Sequence, residues 1–295
     1  MDKDLIQKGH AMHKTWTWSV TGYGLTGKSF EDIQGICKAA GMAGIEGAPP
    51  LVEGKTDAEL EAAGKAFRDA GLQIETFHLP FSAEDDIASF YETVRRQAVD
   101  KILRWMDRAA LMGASIGIQH PTTTRYNVDV EGLDAYLKQI GKSLNVLLPA
   151  AEKLGFILAI ENMLPAGGGR FFSSPEHIER LLQAFAHPGL GFCLDTGHAL
   201  VAAGGHGRAG EFLDAMSPAL VAFHLADNEG ARDLHIAPGR GLVDWNGVFR
   251  GAVGIQFSRT MCIETSPFAP GPNYSADDWK ALVSDTDALA EKALS

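Results

Sequence analysis

The sequence predicts an α/β fold, a single (β/α)8 barrel that covers residues 1–295. Short apolar runs alternate with helical patterns along the whole chain, which is the order of a parallel α/β architecture. Several of the runs are apolar on both faces, as expected for strands buried between a barrel interior and a ring of helices. Six successive runs also end in a histidine or a carboxylate, and barrels of this type collect functional side chains at the carboxyl ends of their strands.

Eight segments are predicted to be strands. They occupy residues 14–20, 43–46, 72–78, 114–120, 156–161, 190–195, 220–224 and 260–264. The first is rich in Trp and Thr, and the fifth, Phe-Ile-Leu-Ala-Ile before Glu161, is a continuous apolar run. Aromatic and β-branched residues of this kind are enriched in strands.

Capping residues mark the helices between these strands. Three pairs have the spacing of an N-terminal cap: Ser29 with Asp32, Thr56 with Glu59, and Ser275 with Asp278. Ser174 followed by a proline also predicts a helix start, and Asp244 predicts the cap of a short helix to residue 250. Glycines at 41, 71, 113 and 155 predict helix ends.

Composition predicts a globular protein in a reducing compartment. The chain is 45% hydrophobic and 21% charged, the balance of soluble globular domains. Its three cysteines are far apart and show no pairing pattern, so we expect no disulfides and a cytoplasmic location. No run approaches the ~20 apolar residues that span a bilayer, and the polar first 14 residues do not resemble a signal peptide. We therefore expect no membrane association; the choice between a monomer and a homo-oligomer stays open.

Charge disfavours nucleic acid as a partner. The formal net charge is −11, whereas contact with a phosphate backbone needs a basic face. Four acidic residues near predicted strand ends add to this expectation: Glu84, Asp85, Asp86 and Asp227. A nuclease that carries its positive charge as bound metal remains an alternative.

The residues that end the six runs are all possible metal ligands. They are His78, His120, Glu161, Asp195, His224 and Glu264. The last four, here called the quartet, combine three carboxylates with one imidazole. Such an oxygen-rich set suits Mn²⁺, Mg²⁺ or Co²⁺ and tolerates Zn²⁺. Three carboxylates held together without a cation would repel one another strongly, so we expect one divalent ion, with Mn²⁺ favoured.

Two loops add candidates near the same strand ends. His198 follows Asp195 by three residues. Asp233 and His235 are alternate residues of one loop, and alternate residues of an extended segment point the same way. They are therefore candidates to hold a second ion or to contact substrate, with a solvated loop as the alternative.

Four motifs carry a resemblance to a known superfamily. They are Asp195-Thr-Gly-His198, residues 223–228 (FHLADN), residues 238–245 (PGRGLVDW) and Ile263-Glu264-Thr265. With these motifs the chain resembles the xylose isomerase-like TIM-barrel superfamily, from about Trp16 to Glu264. This superfamily includes ketose 3-epimerases, inosose dehydratase, hydroxypyruvate isomerase and endonuclease IV. The motifs are specific for the superfamily and do not select a member.

The resemblance to the sugar epimerases implies a reaction. In those enzymes the residues that match the quartet bind one divalent metal, and the two that match Glu161 and Glu264 transfer protons. The metal stabilises the enediolate that forms when a proton leaves the carbon beside a carbonyl. The resemblance also implies that His198 and a loop arginine contact oxygens of a sugar or polyol substrate. Arg232 is the nearest candidate, although its spacing from His224 departs from the epimerase pattern.

Two alternative activities follow from the same resemblance. If a β-hydroxyl leaves, the same site becomes a dehydratase or lyase for a keto-sugar or inosose. In endonuclease IV, a zinc phosphodiesterase, nine ligands hold three zinc ions. All nine have counterparts here: His78, His120, Glu161, Asp195, His198, His224, Asp233, His235 and Glu264. We expect instead that His78, His120 and His235 contact substrate or support the quartet.

Other residues are candidates to line a sugar pocket. Glu46 ends the second predicted strand and could touch substrate, with a basic partner as the alternative. Trp16 in the first strand could stack on a sugar. Arg125, Arg170 and Arg240 fall in loops predicted at the same end. They could bind a phosphate or a carboxylate of the substrate, with a solvated loop as the alternative.

Overall fold

The structure is a computed structural model, and it describes residues 14, 16–165, 169–205, 209–266 and 274–295. The polar N-terminal segment, residues 1–13, and residue 15 of the predicted first strand lie outside the described residues.

One parallel sheet of eight strands forms the centre of the molecule. The strands are β1 Trp18–Thr21, β2 Gly44–Glu46, β3 Thr76–His78, β4 Ile116–Gln119, β5 Ile157–Glu161, β6 Leu190–Asp195, β7 Leu220–Leu225 and β8 Met261–Ile263. Their order is β2-β1-β8-β7-β6-β5-β4-β3. The two outer strands meet, because the amide of Ile45 donates to Gln73 O at 3.1 Å and that of Gly47 to Thr76 O at 2.9 Å. The predicted (β/α)8 barrel is confirmed.

Helices lie between successive strands. They are α1 Phe30–Ala40, α2 Pro49–Val52, α3 Asp57–Asp69, α4 Glu92–Leu111, α5 Val128–Glu131, α6 Leu133–Leu154, α7 Pro175–Ala184, α8 Thr196–Ala202, α9 Ala209–Met216, α10 Trp245–Gly254 and α11 Ala276–Leu294. The predicted capping boxes at Thr56 and Ser275 are formed. The predicted helix over 130–154 is divided in two, because Gly132 adopts a positive φ of 85° between α5 and α6.

Several strands are shorter than predicted. The first begins at Trp18 rather than at residue 14, and the third begins at Thr76 rather than at residue 72. Residues 72–75 still approach β2, but through a single bridge between Gly44 and Gln73. The carboxyl ends nevertheless fall where the sequence predicts, and these ends determine the position of the site.

Strand alternation places the site directly above the packed barrel interior. A small interior cluster includes Ile118, Ala159, Cys193 and Ala222. Side chains two residues apart on a strand share a face. The residues two positions further on are His120, Glu161, Asp195 and His224, so they form the next layer at the barrel mouth.

Two expectations drawn from the composition concern disulfides and membrane-spanning helices. All three cysteines are free and buried, which agrees with the expectation of no disulfide. Among the described helices, none combines the length and apolarity that a membrane crossing requires.

Candidate metal and active site

The quartet comes together at the barrel mouth. Glu161, Asp195, His224 and Glu264 each offer a ligand atom, and these atoms all lie within 4.8 Å of one another. Asp195 and His224 are fully buried. Asp195 also caps α8, because its Oδ1 accepts the amide of His198 at 2.6 Å. The short helix therefore holds one ligand carboxylate in place while the strand ends hold the others.

His224 is fixed between two groups of carboxylates. Its Nδ1 lies 3.4 Å from Glu161 Oε1 and 3.1 Å from Glu264 Oε2. Its Nε2 lies 3.0 Å from Oε2 of Glu46, which is completely buried. A carboxylate behind a histidine selects the tautomer and leaves the other nitrogen free for a metal. Glu46 thus contacts His224, and the described cavity lining does not include it.

Three carboxylate oxygens of the quartet lack a well-aligned hydrogen bond although they are buried. These atoms are Glu161 Oε2, Asp195 Oδ2 and Glu264 Oε2. Imidazole nitrogens of His120 and His224 approach the first and the last of these oxygens, at 3.2 Å and 3.1 Å. Buried carboxylate oxygens are costly without a partner, and they are the donors that divalent cations prefer. The residues present therefore fit a divalent metal.

Burial and the close packing of charges shift the pKa values in this cluster. Burial raises the pKa of Asp195 to about 7. Burial opposes protonation of His224, but Cys193, Glu264, Glu46 and Glu161 raise its pKa well above the ordinary value. In return His224 overcomes the effect of burial and lowers the pKa of Glu264 to about 2. A bound divalent cation would supply the same charge that the imidazolium supplies in its absence.

A second cluster of possible ligands lies beside the quartet. His198 Nε2 and His235 Nε2 approach the same Oδ2 of Asp233, at 3.3 Å and 3.0 Å. The structure therefore places the two loops against each other. Despite burial, Asp195 and Asp233 raise the pKa of His198 to about 10. His235 also has a positive φ of 45°, a backbone conformation that is uncommon for residues other than glycine.

The remaining two strand-end histidines face Glu161. His78 Nε2 lies 3.7 Å and His120 Nε2 3.2 Å from Glu161 Oε2. Burial lowers the pKa of His120 to about 4, with Glu161 acting in the opposite direction. All six strand-end residues are thus neighbours in the structure.

A cavity of about 510 Å³ opens above these ligands. Sequence reasoning missed two aromatic residues that line it. Tyr23 lies edge-on to His78, with ring centroids 5.6 Å apart, and burial raises the pKa of its phenol. Phe81 packs on His120 at a centroid distance of 4.4 Å. Both residues follow a strand end by two or three positions. That position in the sequence could have identified them as residues of the barrel mouth.

Two sequence candidates lie away from this cavity. Trp16 precedes β1, so it is at the amino ends of the strands, and its ring stacks on Phe249 at a centroid distance of 6.0 Å. Arg232 is exposed and is not part of the described lining. The arginine that does line the cavity is Arg170, which is only 8% exposed.

The acidic residues cited against a nucleic-acid partner need a correction. Asp85, Asp86 and Asp227 are buried, so they do not charge the surface around the site. Asp227 accepts the amides of Gly239 and Val243, at 2.9 Å and 3.0 Å, and so organises the loop after β7. The overall net charge and the exposed Glu84 remain as arguments against phosphate-backbone contact.

Comparison with known families agrees with this architecture. The family model described as Xylose isomerase-like TIM barrel matches residues 35–284. The chain belongs to this family. The superfamily resemblance of the sequence motifs is therefore confirmed.

Individual members of the xylose isomerase-like group are distant in sequence. The uncharacterized protein y4fM of Sinorhizobium fredii is 23% identical over 71% of each chain. The uncharacterized protein MJ1614 of Methanocaldococcus jannaschii is 28% identical, over 58% of this chain and 62% of its own length.

Three solved structures share the xylose isomerase-like fold. A D-tagatose 3-epimerase-like protein has a TM-score of 0.76 at 20% identity, covering 94% of this chain and 98% of its own. The 3-keto-D-glucoside 4-epimerase YcjR from E. coli has a TM-score of 0.75 at 16% identity, covering 92% and 99%. The IOLI protein, solved with a bound zinc atom, has a TM-score of 0.73 at 16% identity, covering 94% and 98%. At these identities the likeness concerns the fold.

Proposed function

We propose that the protein is a divalent-metal-dependent sugar isomerase or epimerase that acts by proton transfer next to a carbonyl. The observation that carries the proposal is the convergence of three carboxylates and one imidazole, whose ligand atoms lie within 4.8 Å of one another at the barrel mouth. Glu161 and Glu264 of this quartet also line the cavity. Membership of the family and the epimerases among its structural neighbours support the same reaction class.

The quartet would hold the cation, and its oxygen-rich donor set favours Mn²⁺ over softer metals. When bound, a divalent cation supplies Lewis acidity toward a carbonyl and an adjacent hydroxyl oxygen. The substrate is accordingly a sugar, keto-sugar or polyol with that arrangement of oxygens. Three free cysteines are consistent with the reducing cytoplasm as the site of action.

The two glutamates carry the proton transfer in this proposal. One takes the proton from the carbon beside the carbonyl, and the other returns a proton, from the opposite face when the product is an epimer. The side chain of Glu264 is 11% exposed and that of Glu161 only 1%. Glu264 is thus the more accessible of the two to a substrate in the cavity.

Neighbouring side chains position the substrate. His198 and His235 line the cavity, and their Nε2 atoms share Oδ2 of Asp233. Their Nδ1 atoms contact the carbonyl oxygens of Asn162 and Glu264, so a substrate oxygen would accept a hydrogen bond from either Nε2 in place of Asp233. Met163 and Leu164 form an apolar part of the lining that excludes water beside the reacting carbon. Loss of a β-hydroxyl in the same pocket would give dehydratase or lyase chemistry with the same groups.

A zinc phosphodiesterase of the endonuclease IV type is the second candidate. The specific observation in its favour is the presence of two further possible ligand groups. One contains His198, Asp233 and His235, whose ligand atoms lie within 4.8 Å of one another. The other places His78 and His120 against Glu161.

Metal stoichiometry tests the two candidates. Protein purified without chelator should contain one divalent ion per chain by mass spectrometry, and Asp195→Asn combined with His224→Gln should lose it. Equal metal in both proteins would contradict the assignment of the quartet. Three zinc ions per chain, with cleavage of DNA that contains an abasic site, would favour the phosphodiesterase.

Substrate turnover tests the reaction class. A panel of ketoses, inososes and 3-keto sugars is incubated with the metal-loaded protein in deuterated water. We expect metal-dependent incorporation of deuterium at the carbon beside the carbonyl. Turnover without any solvent exchange would argue against the proton-transfer mechanism.

A further inference from the structure

A second cavity lies beside the proposed active site. Its volume is about 450 Å³. It shares Phe81, His120 and Arg170 with the first cavity, so the two spaces adjoin along these side chains. Three consecutive threonines, residues 122–124, line the second cavity. A sugar ring that occupies the first cavity would therefore have room for a substituent in the second.

Arg170 lines both cavities, and one of its hydrogen-bond donors has no partner. The residue is 8% exposed. Its Nη2 donates to the carbonyl oxygen of Thr122 at 2.7 Å, but its buried Nε has no hydrogen-bond partner. A buried guanidinium with an unsatisfied donor is costly unless an acceptor or an anion completes its shell.

The protein's own carboxylates do not satisfy this cation. Asp86, the nearest in sequence to the second cavity, accepts hydrogen bonds from the hydroxyls of Thr122 and Thr123, both at 3.0 Å. Asp233 is shared by two histidines. Glu161, Asp86 and Asp233 all attract Arg170 through the Coulomb interaction, Glu161 most strongly. Glu161 is itself surrounded by imidazoles.

The acidic residue that lines the second cavity, Asp85, is also engaged. Oδ1 of Asp85 accepts from Lys101 Nζ at 2.7 Å, and its Oδ2 accepts from Ser82 Oγ at 2.7 Å. The charge of Asp85 is therefore offset by Lys101, so Asp85 does not repel an anion as a free carboxylate would. Arg125, which is exposed on the same lining, adds positive charge.

We infer that the second cavity binds an anionic group of the substrate, a carboxylate or a phosphate ester, through the guanidinium of Arg170. The planar fork of an arginine matches both groups, and the hydroxyl of Thr124 on the same lining can donate to a remaining oxygen. The hydroxyls of Thr122 and Thr123 already donate to Asp86. The substrate class is then a sugar acid or a sugar phosphate rather than a neutral monosaccharide. The inference rests on the proposed function only in taking the body of the ligand to be a sugar.

Calorimetric binding tests the inference on the metal-loaded protein. The probes are D-glucuronate, D-glucose 6-phosphate and neutral D-glucose, which compare a carboxylate, a phosphate ester and neither. We expect one of the two anions to bind at least about 10-fold more tightly than glucose. A hydrogen bond to a charged group changes binding affinity by a factor of this size. Equal binding of all three probes, or binding of none, would overturn the inference.

Variants locate the anion. Arg170→Gln should remove the preference for the anionic probe, whereas Arg170→Lys should keep part of it. Arg96→Gln makes the same charge change on the exposed face of α4 and should leave the preference intact. A preference that survives in Arg170→Gln, with an unchanged melting temperature, would place the anion elsewhere, for instance on the metal, and would overturn the inference. Metal stoichiometry and deuterium exchange do not depend on Arg170, so they judge the proposed function separately.

Discussion

At the residue scale, Glu161 is the most densely contacted group of the site. Four imidazoles lie within 3.7 Å of its oxygens. Although burial opposes ionisation, His224 and His120 keep its pKa well below the ordinary value. Glu161 therefore remains a carboxylate across the physiological pH range, as a metal ligand or proton acceptor must.

The proposed acid and base predict the effect of an isosteric change. Glu161→Gln and Glu264→Gln preserve volume but remove the group that accepts a proton. Turnover should fall at least ~10²-fold in each, the usual scale for a lost general base. Steady-state rates on the best substrate of the panel measure this, with Glu61→Gln on the exposed face of α3 as control.

Solvent exchange separates proton transfer from binding in these two variants. If deuterium incorporation persisted undiminished in both, another residue would move the proton. His198 would then be the next candidate, because it lines the cavity and its Nε2 contacts Asp233 there.

Glu46 predicts a second effect at the residue scale. Its carboxylate holds the nitrogen of His224 that faces away from Glu161 and Glu264. Glu46→Gln should weaken metal affinity about 10- to 100-fold, the usual effect of losing such a supporting group. Competition with a fluorescent chelator measures the affinity. An unchanged affinity would mean that His224 needs no orientation by Glu46, or that it is not a ligand.

At the element scale, the loop before α7 depends on a histidine acceptor. Phe172 is buried with a positive φ of 70°. Its amide donates to Nδ1 of His177 at 3.1 Å, and its carbonyl accepts the amide of Met163 at 2.9 Å. This loop leads directly from Arg170 at the cavities into the first turn of α7.

His177 predicts a pH-dependent stability. Burial lowers its pKa below the model-peptide value of about 6.5. The unfolded chain therefore gains a proton first as the pH falls, so the stabilisation is present above pH ~6.5 and is lost below it. At pH 8, His177→Ala should lower the free energy of unfolding by about 1–3 kcal/mol, the scale of an unsatisfied buried amide.

Urea unfolding at pH 8 and at pH 5 measures this difference. The destabilisation caused by His177→Ala should shrink at the lower pH. A loss of packing alone would give the same difference at both values, and that result would contradict the hydrogen-bond explanation.

The contact between β2 and β3, here called the seam, should show the largest loss of stability when a glycine is replaced. A Cβ on Gly44 would lie 1.7 Å from the carbonyl oxygen of Gln73, whereas a Cβ on Gly35 in α1 meets nothing within 4 Å. Gly44→Ala should therefore open the seam and lower stability by several kcal/mol. Gly35→Ala should raise stability by about 0.5–1 kcal/mol, because alanine favours a helix. Thermal melting of the pair compares them; equal melting temperatures would contradict the close approach.

At the scale of the whole molecule, a metal bound by the quartet would couple the site to folding. The four residues of the quartet lie within one residue of the carboxyl ends of β5 to β8, so a bound ion would join half of the barrel. A ligand present at 100 times its Kd stabilises the folded state by about 2.7 kcal/mol. Removal of the ion by chelation should lower the melting temperature by several degrees, and added Mn²⁺ should restore it.

The control for this prediction is Asp195→Asn combined with His224→Gln. Its melting temperature should not respond to chelator or to Mn²⁺. If the native protein were equally insensitive after verified loss of the metal, the quartet would be stable without a cation. The imidazoles of His198 and His224, whose raised pKa values favour the protonated form, would then balance the negative charge of the quartet.

The sequence by itself determined the barrel and the level of the site within it. Local periodicity shows where each strand ends, and parallel strands bring their carboxyl ends to one edge. Hence Glu161, Asp195 and His224 could be placed together without any knowledge of contacts. The caps at Thr56 and Ser275 were equally predictable, because capping depends on residues only three positions apart.

Tertiary structure alone decided which side chains meet across the barrel. Glu46 and His224 are 178 positions apart, and no local pattern reveals that they share a hydrogen bond. Trp16 lies outside the cavity, two residues before a strand that begins at Trp18, four residues later than the pattern predicts. Arg170, rather than Arg232, reaches the cavity because loop conformation and burial depend on long-range packing. The sequence thus determines the end of the barrel at which a residue lies, and the packed structure determines its partner.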